Sequence, residues 1–541
     1  NTVKVSTFHS LGQHIIAEVE GNRPSVSPFA TNAMAMDEYL EKSFHELMEQ
    51  DDYKAIVVRH FLYYRFEPID PFAYKHLADY NQAVKDNDLQ TNQGELVKSY
   101  QALLIANFLF KHNVEYQYEA TYEQKIKALD FRLYQPDFYL PESGIYIEHY
   151  EVDRDGNTAA YIDKDKYFEA MQWKRELHQT NNTRCIETFH YEWTEDELLQ
   201  RLEDKLSNVG VALNPLSNDA IIEKLANAQD RPIDELCSLL GTMLKLFKSS
   251  NMNGELFPPE EQELAPTTFF QRIFERILLL LSKKYQTTSN LNRMKSAQQL
   301  MMPLYIQYQN YLVENNEIDF DDMINKAIMY VKSGQFTSPW THIMVDEFQD
   351  ISSSRAQLII ALRDQVKHAS LFCVGDDWQS IYRFAGSDLS YVTAFKKHFG
   401  ETHTTTLDKT FRFNNSISEV TSFFVTRNPE QIDKTISTYH QVSQSAVSLF
   451  SVDDSSDEQH LANLEVVLSA ISERKSESTI LILARYTFTL PEKDTLEQFE
   501  KDLGNVHITA LTIHASKGKE ADFVIIMGME DGKFGFPSDK Q

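Results

Sequence analysis

Two strongly apolar stretches on either side of a helical pattern limit the folds that the middle of this chain can adopt. "HIMV" begins at His342, "ASLFCV" begins at Ala369, and "SRAQLIIALRDQ" lies between them with the apolar spacing of a helix. Two buried strands joined through a helix predict a parallel sheet with a right-handed crossover. Further strands are expected at "AVSLFSV", "TILILA", "HITALTI" and "DFVIIMG", so the sequence predicts a second α/β region.

Acidic side chains follow the first predicted strand: Asp346, Glu347 and Asp350 come directly after Val345. Ligands of α/β sheets bind at the carboxyl ends of the strands. One carboxylate there can hold Mg²⁺ between phosphates while a second activates a water molecule. Asp350 or Ser352 could instead cap the next helix, which accounts for one acid but not for all three. We expect Asp350 to be the cap.

The second predicted strand ends in a similar way. Gly375, Asp376 and Asp377 follow it, and Gln379 comes four residues after the glycine. The arrangement of a buried strand followed by acids and an amide thus occurs twice in succession. The sequence therefore predicts a polar site at one edge of the sheet.

An aromatic, a cation and an aromatic come next, at Tyr382, Arg383 and Phe384. Such a triplet offers stacking faces and a phosphate contact to single-stranded nucleic acid. Taken singly, either aromatic is better explained as a core residue. The net charge of −28 does not exclude nucleic acid, because phosphate binding needs a local basic groove rather than a basic average.

The length and composition are typical of a globular chain with several domains. A chain of 541 residues exceeds one hydrophobic core, and 24% charged residues lie in the globular range. No apolar run is long enough for a transmembrane helix. The three widely spaced cysteines predict no disulfide or metal framework and favour a reducing compartment, the cytoplasm. The first residues lack Met and a signal-peptide pattern, so we expect the chain to begin inside a longer gene product.

Five motifs in order carry a resemblance to a known family. "STFHSLG", "VDEFQD", "VGDDWQSIYRFAG", "LDKTFRFNNSI" and "LTIHASKGKEADFVIIMGMEDG" resemble motifs Ib, II, III, IV and V of superfamily 1 helicases of the UvrD/Rep type. The details "SPWTHIMVDEFQDIS", "ILARY" and "TIHASKG" resemble the helicase IV branch of that family. The resemblance covers residues 1–20 and 317–541 well and the middle more loosely. It implies an ATP-dependent, 3′-to-5′ DNA helicase of repair or recombination that acts on single-stranded or forked DNA and needs ATP and Mg²⁺.

The resemblance also implies a role for individual residues. Asp346 would bind Mg²⁺, Glu347 would be the catalytic base for water, and Gln379 would sense the γ-phosphate. Arg412 would be an arginine finger, and Gln349 would link the nucleotide to the DNA strand. Further nucleotide contacts would come from Phe411, Lys517, Gly518 and Glu520, and the single strand would contact Thr7, His9, Tyr382, Arg383, Phe384, Thr512 and His514.

The implied architecture is α/β, with two incomplete RecA-like parallel-sheet motor domains, a helical insertion and a PD-(D/E)xK nuclease-like α/β module. The phosphate-binding string G-x-x-x-x-G-K-[ST] does not occur, and motif VI is missing, so we expect ATP hydrolysis by this chain alone to be negligible. The predicted domain boundaries are 1–25 and 336–402 for motor domain 1A, 26–115 for the helical insertion, 116–195 for the nuclease-like module, 196–335 for a 1B-like helical region, and 403–541 for motor domain 2A.

The nuclease-like module is predicted from "YQPDFYLPESGIYIEHYEVD" and the helical and strand patterns after it. Asp137 ends one strand and Glu148 lies in the next, a spacing similar to the two metal-binding acids of such nucleases. Tyr150 occupies the place of the usual lysine, and Lys174 on the following helix is the candidate replacement. A degenerate module that guides DNA or braces the motor is the alternative.

Two other hypotheses differ from a helicase in class. One is an ATP-driven remodelling factor acting on RNA polymerase or on protein–DNA complexes, as some relatives of helicase IV do, although no sustained heptads indicate their coiled-coil arms. The other is a DNA nuclease that uses the inserted module. The acidic string "EIDFDDMI" is predicted to be a helix start with Asp319 as its cap, without chemistry.

Overall fold

Contacts within the chain divide it into two units, Asn1–Phe336 and Thr337–Gln541. The computed structural model describes residues 3–122, 134–228, 231–249, 288–383, 386–428, 431–432, 434–450, 457–475 and 477–530. The predicted DNA contact Phe384 lies outside these ranges. The three cysteines are all free. None of the described helices is both long and apolar enough to cross a membrane.

The first unit is mostly helical. Residues 3–7 are irregular, and Thr7 is the cap at which the first helix begins. Two short strands, β1 (Ser25–Val26) and β6 (Glu317–Ile318), pair in parallel. The helices are α1 (Phe8–Glu20), α2 (Ala33–Met48), α3 (Asp51–Tyr63), α4 (Leu77–Asn87), α5 (Tyr100–Lys111), α6 (Lys164–Thr180), α7 (His190–Thr194), α8 (Leu198–Asn208), α9 (Asn218–Ala226), α10 (Pro232–Ser249), α11 (Thr288–Glu314) and α12 (Phe320–Lys332).

Apolar faces of α2, α3, α9, α10 and α11 form one hydrophobic core. Phe44, Leu240 and Tyr308 are fully buried in it. At the edge of this core, Asp319 caps α12 by accepting from the Asp322 N–H at 2.9 Å, which confirms the predicted helix start. Asp319 also accepts hydrogen bonds from Lys248 and Tyr308, so the cap belongs to a buried polar network as well.

A four-stranded mixed sheet forms a second core within the first unit. Its strands β2 (Gln117–Tyr118), β3 (Phe138–Leu140), β4 (Ile145–Tyr150) and β5 (Arg184–Phe189) lie in the order β2-β3-β4-β5. The first three strands are antiparallel, and α6 leads to β5, which runs parallel to β4. Helix α5 is buried over almost its whole length against this sheet and α8, because its sequence "ALLIANFLF" is apolar on all sides.

The second unit contains the predicted strand–helix–strand arrangement. β7 (His342–Val345) and β8 (Ser370–Cys373) pair in parallel, and α13 (Ser353–Asp364) connects them. A separate parallel sheet has the order β12-β11-β13, with β11 (Ser478–Ala484), β12 (Val506–Thr512) and β13 (Phe523–Ile526). These three strands confirm the predictions for "TILILA", "HITALTI" and "DFVIIMG".

The strand predicted at "AVSLFSV" is wrong for residues 446–450, which are irregular and exposed. The strand in this part of the chain is β10 (Ser437–His440), which pairs in parallel with β9 (Lys409–Asn414). A strand needs a backbone partner, and β9 supplies one to the more polar segment. The remaining helices of the second unit are α14 (Ser390–Thr393), α15 (Phe395–Phe399), α16 (Asn415–Val425), α17 (Asp457–Arg474) and α18 (Lys493–Leu503).

Candidate functional site

The first acidic cluster lies directly after β7, where the sequence predicts it. Asp346 and Glu347 are exposed, and Asp346 Oδ1 accepts the Glu347 N–H at 2.9 Å. Glu347 adopts the left-handed backbone conformation, with φ 50° and ψ 42°. This conformation is uncommon for residues other than glycine and occurs often at functional sites. The two acids at the strand end are therefore accessible to solvent.

Gln349 connects the two strand ends. It is fully buried; its Nε2 donates to Glu347 Oε2 at 2.5 Å, and its Oε1 accepts the Asp376 N–H at 2.9 Å. Gly375 leaves room for this amide, because a Cβ added to it would lie 2.7 Å from Gln349 Oε1 and 3.0 Å from the Gln349 backbone nitrogen. The side chain of Glu347 is thus fixed by a buried amide that also holds the loop after β8.

Gly375→Ala should therefore destabilise the second unit by about 1–3 kcal/mol, because the new methyl group must displace a buried amide and backbone. Urea unfolding of the variant and of the unchanged chain measures this difference. Gly241→Ala, within α10, is the matched control, since its Cβ would meet only the end of Leu40 at 3.3 Å. A glycine inside a helix costs roughly 1 kcal/mol relative to alanine, so this control should be neutral or stabilising. Equal effects of the two substitutions would contradict the tight fit at Gly375.

The loop after β8 is held by a cation that the sequence motifs do not indicate. Lys434 Nζ lies 2.5 Å from Asp376 Oδ1 and 2.5 Å from Asp377 Oδ1, and 4.8 Å from the centre of the Trp378 ring. Burial acts to raise the pKa of Asp376, but hydrogen bonds from Lys434 and Gln379 outweigh it and hold this pKa below its usual value. The Gln379 side chain donates to Asp376 Oδ2 at 2.7 Å. Lys434 therefore influences the carboxylate that positions Gln379.

Lys517 contacts residues of both predicted motifs. Its Nζ lies 2.5 Å from Asp350 Oδ2 and donates to the Gln379 carbonyl at 2.8 Å. It also lies 4.9 Å from the centre of the Tyr382 ring. The prediction that Asp350 caps the next helix is wrong: Ser352 caps α13, and Asp350 is the ion-pair partner of Lys517. The reason is that Asp350 ends a separate 3₁₀ turn, two residues before the cap.

The remaining nucleotide candidates lie on β9 and after β12. Arg412 Nε is 3.2 Å from Glu520 Oε1, and both side chains are largely exposed. The ring of Phe411 lies 5.1 Å from that of Tyr439 and is 61% exposed, so it offers an accessible aromatic face. Gly518 has φ +75°, a conformation that favours glycine, in the turn between Lys517 and Glu520. The predicted arginine finger is thus paired with another residue of the predicted nucleotide site.

The predicted DNA contacts fall into two groups. In the second unit, the Tyr382 hydroxyl donates to the His514 carbonyl at 3.2 Å, and the Thr512 hydroxyl accepts the Ala515 N–H at 3.3 Å. Arg383 is exposed beside Tyr382. In the first unit, Thr7 caps α1, and the His9 ring stacks on Phe320 at 4.2 Å. The structure therefore gives Thr7 and His9 structural contacts within the first unit and brings Tyr382 together with His514.

The chemistry of the donor set fits Mg²⁺ at the first cluster. Among the described residues, no group of three or more His, Cys, Asp and Glu side chains is arranged to hold a metal ion. Mg²⁺ commonly binds one or two carboxylates and takes its other ligands from water and nucleotide phosphates. Asp346, which is exposed, can be such a ligand, and the exposed Glu347 beside it can orient water.

Strand ends that present acids, with amides and cations in contact with them, are typical of nucleotide-binding α/β proteins. A family model described as the UvrD/REP helicase N-terminal domain matches residues 1–400, and the chain belongs to this family. DNA helicase IV of Escherichia coli (strain K12) is 44% identical over 239 residues, which cover 44% of this chain and 34% of that protein. ATP-dependent DNA helicase PcrA of Staphylococcus aureus (strain Mu50) is 29% identical over 141 residues, which cover 25% of this chain and 19% of that protein. The matched regions thus span about a third or less of these relatives.

Proposed function

We propose that this chain forms part of an ATP-driven DNA helicase that moves 3′ to 5′ along single-stranded DNA in repair or recombination in the cytoplasm. One observation carries the proposal: Gln349 and Lys517 connect the acids after β7 to the residues expected to contact DNA. Gln349 holds Glu347, and Lys517 joins Asp350 and Gln379 to the ring of Tyr382. Binding or hydrolysis of the nucleotide can therefore affect the residues that contact the DNA strand through few bonds.

In the proposed reaction the residues act on the terminal phosphate of ATP. Asp346 would hold Mg²⁺, which supplies positive charge to the phosphates when bound. Glu347 would orient the attacking water and take its proton, and Gln379 would contact the γ-phosphate. Arg412 would leave Glu520 and turn toward the phosphate, where a cation stabilises the charge that develops during transfer. Phe411, Lys517, Gly518 and Glu520 would form the rest of the nucleotide site.

On the DNA side, the aromatic and basic residues would bind the single strand without reading its sequence. Tyr382 and the neighbouring Arg383 would supply a stacking face and a phosphate contact, and Thr512 and His514 would lie along the same DNA strand. Thr7 and His9 of the first unit, and Phe384, are proposed as further contacts. Single-stranded and forked DNA are the expected substrates.

Strand displacement by the gene product that contains this chain tests the proposal. Duplexes with a 3′ tail should be unwound with ATP and Mg²⁺, and duplexes with a 5′ tail should not. The 541-residue chain alone should show negligible turnover, because no phosphate-binding string occurs in its sequence. Robust ATP hydrolysis by the chain alone would refute the second expectation. Hydrolysis without displacement of either tail would favour the alternative, a factor that remodels RNA polymerase or protein–DNA complexes.

A further inference from the structure

Three carboxylates lie side by side on one face of the four-stranded sheet in the first unit. The register that pairs Phe138 with Ile147 places Asp137, the residue before β3, opposite Glu148. Glu148 is in turn paired with Glu187 across the parallel strands β4 and β5. Directly opposed residues of neighbouring strands point to the same face, and like charges there repel. Such a row of acids requires positive charge to balance it.

Two consecutive residues of α6 supply part of that charge. Arg175 donates to both oxygens of Glu187, each at 2.7 Å. Lys174 Nζ lies 2.5 Å from Glu148 Oε2, and Glu148 is only 1% exposed. Glu187 therefore has a complete partner, whereas one lysine serves the pair formed by Glu148 and Asp137. Among the described residues, three acids against two bases leave one negative charge on this face.

Asp137 is the carboxylate without a cationic partner among the described residues. Its Oδ2 accepts the His149 N–H at 2.6 Å. A structural ion pair between Lys174 and Glu148 would explain those two residues, but it does not explain why a third charged group is placed beside them. A cation between Asp137 and Glu148 would remove the repulsion.

Lys174 also lies close to two aromatic rings. Its Nζ lies 5.5 Å from the centre of the Tyr150 ring and 5.5 Å from that of Tyr134. Tyr150 stands two residues after Glu148 on β4, and the lysine from α6 covers it. Tyr134 donates to Glu148 Oε1 at 2.6 Å, so both oxygens of this acid are oriented. A lysine amine and a phenol therefore meet at Glu148 of β4, beside the acid that directly precedes β3.

We propose that Asp137 and Glu148 bind a divalent cation and that, with Lys174, they form a second active site that hydrolyses phosphodiester bonds of DNA. Two carboxylates suffice, because Mg²⁺ takes its other ligands from water and substrate phosphate. A water oxygen forms a bond to phosphorus, and the bond from phosphorus to O3′ breaks. The water gives its proton to solvent, and the leaving O3′ takes one from solvent. The products are a 5′-phosphate and a 3′-hydroxyl, and Lys174 stabilises the charge on the phosphate during transfer.

The test incubates the purified chain with Mn²⁺ or Mg²⁺ and end-labelled single-stranded DNA, without ATP. Cleavage is expected in the unchanged chain, and Glu148→Gln and Asp137→Asn should each lower its rate by about 100-fold or more. Lys174→Met should lower it by roughly 10²–10³-fold, as expected for loss of one charge-stabilising donor. Mn²⁺ binding, followed by electron paramagnetic resonance, should be lost in Glu148→Gln even where cleavage is too slow to measure.

Two controls make the result specific. Glu187→Gln removes the same charge from the neighbouring strand and should retain Mn²⁺ binding and most of the cleavage, because Arg175 already neutralises Glu187 and the proposed cation is not bound by it. Cleavage is measured without ATP, so a failed motor and a failed nuclease are distinguishable. Thermal unfolding shows whether each variant is folded. No cleavage with either cation, or cleavage that survives both Glu148→Gln and Asp137→Asn, would overturn the proposal.

Discussion

Glu347→Gln is expected to lower DNA-stimulated ATP hydrolysis by about 10²–10⁴-fold in the gene product that contains this chain. Glutamine keeps the shape of the side chain and can still accept the hydrogen bond that Gln349 Nε2 donates to Glu347 Oε2. It cannot take a proton from the attacking water. Binding of ATP and of single-stranded DNA should therefore persist while turnover is lost. Steady-state phosphate release and equilibrium binding of labelled DNA measure the two effects separately.

Glu401→Gln is the matched control for this experiment. Glu401 is 89% exposed and pairs with Lys396 at 3.1 Å, so the same chemical change occurs away from the proposed site. Its hydrolysis rate should equal that of the unchanged protein. A Glu347→Gln protein that hydrolyses ATP within a few-fold of the unchanged rate would exclude Glu347 as the base and leave Asp346 or another acid for that role.

Much of the second unit could be predicted because its strands are continuous apolar runs. "HIMV", "TILILA" and "DFVIIMG" each form a strand, and the periodic segment between β7 and β8 forms α13. "AVSLFSV" is also largely apolar but forms no strand over residues 446–450, where Leu449 is 92% exposed. Strand propensity describes a segment that fits a half-buried pleated surface, and here that surface is absent. A segment's own residues do not specify its pairing partner.

The site was predictable only where its residues are close in sequence. The acids after β7 and the glutamine after β8 follow their strands directly, so a pattern of apolar run and polar turn reveals them. Lys434 lies more than fifty residues beyond Asp376 and belongs to no motif, yet its Nζ contacts both Asp376 and Asp377. The ion pair between Asp350 and Lys517 has a sequence separation of 167 residues. Such contacts arise from tertiary packing, and a single sequence carries no local signal for them.

The acidic string at the start of α12 illustrates the same limit in the first unit. The cap at Asp319 follows from its place before a helical pattern. The buried lysine that neutralises it does not, because a lysine on an amphipathic helix is usually exposed. Lys248 is 2% exposed, and its Nζ contacts Asp319 and, at 2.7 Å, Asp322 Oδ2. It also lies 4.6 Å from the centre of the Tyr308 ring. This residue ties α10 to the start of α12.

Lys248→Met is expected to destabilise the first unit by about 3–5 kcal/mol, because it leaves two carboxylates in the core without their cation. Burial acts to lower the pKa of Lys248, but Asp319 and Asp322 raise it well above its usual value, so the lysine is charged. In the variant the two acids would take up protons on folding. The folded state would then bind more protons than the unfolded chain, so the deficit should shrink as the pH falls. Urea unfolding at two pH values measures both effects.

Lys245→Met separates the loss of a buried charge from the loss of any lysine on α10. Lys245 lies one turn earlier and pairs with Asp37 at 2.7 Å, but the two side chains are 47% and 64% exposed. Exposed pairs contribute about 0–1 kcal/mol, so this variant should unfold almost as the unchanged chain does. Adding Asp319→Asn and Asp322→Asn to Lys248→Met should restore part of the stability, because it removes the unpaired charges. If Lys248→Met costs no more than Lys245→Met, the buried network does not stabilise the junction between α10 and α12.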